Sequence, residues 1–231
     1  NGGLVLAFGL GVPLMIGLVI AAPAIVSLLI RQESVTELAT PYLQSRLWGL
    51  VAVGMNFSFR GFWNGINRSE LYFRTLLSMH AVDIVVSYVL IFGVLGAPEL
   101  GVTGAGIGST VGTYVGTLSY TLLALRHARK NGFLRALPAG ETLRTMLRLS
   151  LPAGFQQFFF ATGMTALFAI IGRVGTAELA ASNVLLNLLL VALLPSMGFG
   201  LASASLVGQA LGRGDSEDAR RWAWDVARLA S

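Results

Sequence analysis

The chain of 231 residues is 55% hydrophobic and only 12% charged, with 28 glycines, no cysteine and a formal net charge of +5. This balance argues against a water-soluble domain, and the missing cysteines exclude disulfides, thiolate metal sites and cysteine nucleophiles. Nucleic-acid binding would need a basic face on a folded domain, whereas here the arginines stand between apolar runs.

Residues 1–30, 100–125 and 179–212 carry no charge at all. Each run exceeds the ~18 residues that read as a membrane-spanning helix, and three of them are too many for a signal peptide. Hydropathy predicts six spans, at residues 4–30, 42–66, 75–95, 103–125, 147–172 and 181–211. The fold class expected is therefore an all-α polytopic membrane protein. The chain opens on Asn1 directly into an apolar segment and ends in the amphipathic "ARRWAWDVARLAS", so a fragment of a longer protein is expected.

In the first span Gly9 and Gly17 accompany Pro13 and Pro23, and Pro195 sits in the middle of the sixth. Kinks are predicted there, since each proline removes an intrahelical bond. The third span holds "MHAVDIVVSYV", in which Asp83 is the acidic residue predicted deep in hydrocarbon. A charge at that depth costs ~2.5–3.5 kcal/mol on insertion scales, so Asp83 needs a partner, water or a proton. At about 100° per residue, His80 lies about 60° and Ser87 about 40° from Asp83, which makes one polar stripe. One reading is a packing network with a protonated aspartate bonded to a neighbouring helix. The other is a proton or sodium carrier, because burial disfavours a free carboxylate and intramembrane ionisable groups are functional candidates.

The fourth span repeats glycine every four residues, at Gly104, Gly108, Gly112 and Gly116. Such spacing lets two helix backbones approach closely in lipid. A basic connector, residues 126–150, follows and separates two groups of spans, with an amphipathic stretch predicted near residues 141–149 and Pro152 as a helix opener. The fifth span carries Gln156 and Gln157 among phenylalanines, and the sixth Ser182, Asn183 and Asn187. These amides either glue helices together or line a substrate path beside aromatic surface suited to bulky cations.

With residue 1 cytoplasmic, thirteen basic residues fall on the inner side: Arg60, Arg68, Arg74, Arg126, Arg129, Lys130, Arg135, Arg144, Arg148, Arg213, Arg220, Arg221 and Arg228. Arg31, Arg46 and Arg173 fall outside, which orients the chain by the positive-inside rule. The outer loops are too short for an external domain. No HExxH, GxSxG or GxxxxGK[ST] occurs, and His80 with Asp83 makes too few ligands for a metal, so neither catalysis nor a cofactor is expected.

Three stretches together carry a family likeness: "FSFRGFWNGINRSELYFR", "HAVDIVVSYVLIFGVLGAPELGVTGAGIGS" and "LPSMGFGLASASLVGQALGRGDSEDARRWA". They resemble the multidrug and toxic compound extrusion (MATE) family, in particular its bacterial DinF-like branch. The resemblance implies a twelve-helix fold of two six-helix lobes, exporting drug-like, often cationic compounds in exchange for H+ or Na+. On that template residues 1–125 resemble helices three to six, 126–146 the inter-lobe connector, and 147–231 helices seven and eight with the start of nine. A bacterial inner-membrane, multi-pass location and a monomeric full-length protein are implied as well.

Members with an N-lobe cation site often show Asn-x-x-x-Asp before "IFG"; the same positions here read Asp83 and Ser87, with Thr110 a match for a hydroxyl nearby. The helix-seven glutamate of the NorM-like branch has no counterpart, Gln156 and Gln157 being the nearest polar residues. The coupling set expected is Asp83, Ser87, His80 and Thr110, and the substrate path Gln156, Gln157, Asn183 and Asn187. The alternatives are a flippase for lipid-linked oligosaccharide or peptidoglycan precursors, for which only Arg60 stands near a membrane end, and a receptor or scaffold that transports nothing.

Overall fold

The computed structural model describes residues 1–30, 32–129, 132–134 and 137–230, with Thr176 described by its backbone alone. Arg31, Lys130 and Arg135 of the charge pattern lie outside these. Among the described residues there is no strand. The helices are α1 (Gly2–Leu29), α2 (Glu33–Leu47), α3 (Leu50–Gly65), α4 (Ser69–Phe92), α5 (Gly101–His127), α6 (Gly140–Val174), α7 (Thr176–Gly212) and α8 (Ser216–Ala230). Of these, α1, α4, α6 and α7 are long and apolar enough to cross a membrane. Their outward faces are bare hydrocarbon: Ile20, Leu28, Ile84, Phe159 and Val191 are all well exposed. In water such a surface would drive aggregation, whereas in lipid it is solvated.

The chain divides into two compact units, Asn1–Arg144 and Thr145–Ser231. In the first, α5 is the central helix, packed by α4, α2 and α3, and α1 lies on α2 and α3. The glycine repeat explains how α4 comes so close. A methyl group on Gly104 would lie 2.6 Å from the Leu90 carbonyl oxygen, one on Gly108 2.6 Å from the Ser87 amide nitrogen, and one on Gly112 2.9 Å from the Asp83 Cβ. Gly116 faces the Met79 sulfur in the same way. Residues 79, 83, 87 and 90 of α4 thus descend the glycine face of α5 turn by turn, and the two helices run antiparallel. The hairpin between them closes on Gly93, which ends α4 in the left-handed conformation (φ 64°), and Leu100 donates its amide to the Leu90 carbonyl. Burial of apolar area does not drive helix association in lipid, so close backbone contact has to supply it.

The second predicted span differs from expectation. It begins earlier, at Glu33, and is interrupted at Trp48–Gly49 into α2 and α3. The interruption frees the carbonyls of Ser45 and Trp48, and both are taken by α5: Thr110 donates to Ser45 O at 2.7 Å and Tyr114 to Trp48 O at 2.8 Å. The break is therefore stable at depth, because its orphaned acceptors find donors. The fifth span also differs. Pro152 does not open a helix but lies inside α6, which runs unbroken from Gly140. One proline forfeits one backbone bond, and the remaining bonds of this 35-residue helix carry it through. Pro13, Pro23 and Pro195 likewise lie inside continuous helices.

In the second unit α7 and α8 form a hairpin around "GRGD". Gly214 adopts φ 79°, the Asp215 amide donates to Ala210 O, and the Asp215 carboxylate accepts from the Asp218 amide at 2.9 Å. Asp215 thus caps α8, and Arg213 pairs with Asp218 at 2.8 Å across the turn. Ala210, Ala219 and Val226 are buried where the two helices meet.

Two stability predictions follow from this packing. Gly108→Val forces a branched side chain against α4 backbone and is expected to cost about 1–3 kcal/mol, whereas Gly17→Val, with open space around it, leaves the thermal midpoint of the detergent-solubilised protein nearly unchanged. Asp215→Ala removes a cap and is expected to cost about 1 kcal/mol, read as a lower midpoint and as faster amide exchange confined to the first turn of α8.

Candidate functional site

The glycine face of α5 fixes where the intramembrane carboxylate sits. Asp83 is half-buried in the α4–α5 contact, with Gly112 opposite its Cβ. Ser87, one turn along α4, donates its hydroxyl to Asp83 Oδ1 at 3.0 Å. Among the described residues no cation pairs with this carboxylate, so one oxygen has a fixed donor while the other is open to a proton or a small cation. His80 is exposed and makes no hydrogen bond to Asp83. Thr110 points away from Asp83, its hydroxyl committed to Ser45 O on α2. Of the four residues expected together, the structure brings two into contact, Asp83 and Ser87.

A second polar cluster joins α3, α4 and α5. Asn56 donates to Thr113 O at 3.1 Å and accepts from the Thr117 hydroxyl at 2.9 Å, and its amide also lies 3.9 Å from the Met79 sulfur. Thr117 also reaches Ala52 O. Met79 is one turn before Asp83 on the same stripe, so α3 is tied to the carboxylate-bearing face through one amide. Sequence reasoning passed over Asn56. The available signal was a lone amide in the apolar run "LVAVGMNFSF", which in lipid must find a partner.

Toward the end of this unit where α3 and α5 finish and α4 begins, "FRGFWNG" and "LYF" build an aromatic core. Trp63 and Tyr120 are fully buried with Phe59, Leu71 and Ala124. Phe59 and Tyr72 both stack on Tyr120, at 5.6 and 6.2 Å between ring centres. Beside it opens a cleft of about 220 Å³ among α3, α4 and α5. In the second unit Gln156 and Gln157 are exposed on α6, and Asn183 and Asn187 are exposed on α7. Asn187 donates to Asn183 O within its own helix at 2.9 Å. No hydrogen bond joins the glutamines to the asparagines among the described residues.

Comparison with known proteins agrees with this architecture. The MatE family model matches residues 1–89 and 152–226. The chain belongs to the MatE family. Similar relatives include a probable multidrug resistance protein NorM of Rhodopseudomonas palustris, 29% identical over 91% of this chain and 45% of its own length. Another, of the same name in Xanthomonas campestris pv. campestris, is 28% identical over 95% of this chain and 48% of its own length. Among solved structures, MATE in the straight conformation superposes with a TM-score of 0.82 at 20% identity, covering all of this chain and 52% of that one. MATE in complex with Br-NRF gives 0.75 at 23%, covering all of this chain and 55% of that one. The chain thus spans about half the length of the relatives it matches. With four helices long and apolar enough to cross a membrane, family membership places the chain among multi-pass membrane proteins.

The Asn56 bridge is open to a double-mutant cycle. Asn56→Leu and Thr117→Val, singly and together, are expected to show a coupling of about 0.5–1.5 kcal/mol in unfolding of the detergent-solubilised protein. A coupling of zero would show that the Asn56–Thr117 bond carries no stability.

Proposed function

We propose that the chain forms part of a cation-coupled antiporter that exports amphipathic, often cationic compounds by alternating access. The observation that carries this reading is Asp83: a carboxylate in an apolar helix, held by one hydroxyl on one oxygen, in a chain related to NorM proteins. Protonation or sodium binding neutralises it, and the α4–α5 contact is where that change is felt first, because Asp83 faces Gly112 with no room for a side chain between them. One charge moved through 100 mV is worth ~2.3 kcal/mol, enough to bias a two-state transporter. In the same reading Ser87 positions the carboxylate, while Gln156, Gln157, Asn183 and Asn187 line the substrate path.

Residues 1–125 then belong to one six-helix lobe, 126–146 to the connector and 147–231 to the second lobe of a monomeric bacterial inner-membrane protein. Its arginine-rich side is cytoplasmic, and no cofactor beyond the coupling ion is required. The flippase alternative is less well supported. Arg60 does line a cleft, but among the described residues no other basic residue lines it, and gripping a pyrophosphate calls for several guanidinium groups.

The test is efflux of a fluorescent organic cation from cells expressing the protein, with the proton and sodium gradients collapsed separately. Asp83→Asn is expected to abolish efflux at normal membrane abundance, and Ser87→Ala to reduce it several-fold. Efflux that survives Asp83→Asn would reassign Asp83 to packing.

A further inference from the structure

The cleft among α3, α4 and α5 has an ordered construction. Each helix contributes residues seven apart: Val53 and Arg60 from α3, Tyr72 and Met79 from α4, Thr113 and Tyr120 from α5. Seven residues rise about 10 Å along a helix, so the cleft is a slot two turns deep with two levels. The outer level holds Arg60, Tyr72 and Tyr120, at the end of the unit that also carries Arg68, Arg74 and Arg126. The inner level holds Val53, Met79 and Thr113, and the wall between is Phe57 and Leu76.

Arg60 is half-buried at the mouth, its guanidinium carbon 5.6 Å from the centre of the Tyr72 ring. That ring is held in place, since it stacks on Tyr120, whose hydroxyl donates to Tyr72 O at 3.0 Å. Arg60 has no carboxylate partner and no hydrogen bond among the described residues, so its donors are unspent. Asn56, deeper in the slot, is already committed to Thr113 and Thr117. A positive charge with free donors thus sits over a slot whose interior is mostly hydrocarbon.

We infer that this slot holds an anionic phospholipid, its phosphate on Arg60 and an acyl chain along Phe57, Leu76, Val53 and Met79. A fork of guanidinium donors matches phosphate oxygens, and the apolar floor gives nothing to a small soluble anion. An organic cation is repelled at the mouth, so the slot is separate from the export path proposed above. The position fits the bilayer as well, because the mouth lies at the arginine-bearing end, where anionic headgroups attract basic residues.

The test is native mass spectrometry of the purified protein offered equal amounts of phosphatidylglycerol and phosphatidylcholine with identical chains. The wild type is expected to retain phosphatidylglycerol with a several-fold preference, and Arg60→Gln to bring the ratio close to one. Arg60→Lys keeps part of the preference as a point charge, which guards against misreading a folding defect. Leu76→Asn is expected to weaken both lipids equally, and Arg74→Gln, an exposed charge at the same end, to leave the ratio unchanged. The inference is overturned if the wild type shows no preference, if Arg60→Gln keeps it, or if Arg74→Gln loses it equally. Displacement of phosphatidylglycerol by millimolar inorganic phosphate would also overturn it, by making the site one for a soluble anion.

Discussion

Contact between α4 and α5 at backbone distance is the constraint on which the first unit depends. Lipid removes the hydrophobic drive that would push two helices together in water, so association rests on how closely the backbones approach. Gly104, Gly108, Gly112 and Gly116 permit that approach, and the α4 residues that descend them include the one carboxylate at issue. The position of Asp83 is thus a consequence of missing side chains on the opposing helix.

The other side of α5 solves a different problem. Thr110, Tyr114 and Thr117 recur at steps of four and three and donate to Ser45 O, Trp48 O and Ala52 O, following the chain through the break between α2 and α3. A helix interrupted within an apolar layer leaves carbonyls that water cannot reach. Here a ladder of hydroxyls takes water's place. Helix α5 therefore works as a two-faced element, bare toward α4 and hydrogen-bonding toward α2 and α3. Its hydroxyls and glycines also dilute its hydropathy, which is why it falls outside the four helices marked as membrane-crossing by composition.

The two faces converge on the slot capped by Arg60. Its walls come from three helices held in register by the glycine contact on one side and by Asn56 on the other. A carboxylate on one flank of α5 and a lone guanidinium at the mouth of a neighbouring cleft give this unit two sites of opposite charge. They are the sites proposed above for a coupling cation and an anionic lipid respectively.

The sequence by itself determined the helical class, the membrane setting, the glycine face and the polar stripe that holds Asp83 and Ser87. Each of these is local: hydropathy over a window, a four-residue period, or the angular spacing of residues on one helix. Only the tertiary structure decided that the second span breaks at Trp48–Gly49, since nothing local demands a break there and its carbonyls are stabilised by hydroxyls 65 and 66 residues away. It likewise decided that Thr110 serves that break while Asn56 bridges three helices, because a hydroxyl or an amide in an apolar run states a need for a partner without naming it. Pro152 shows the converse: a residue with a strong local preference was overruled by the length of the helix around it.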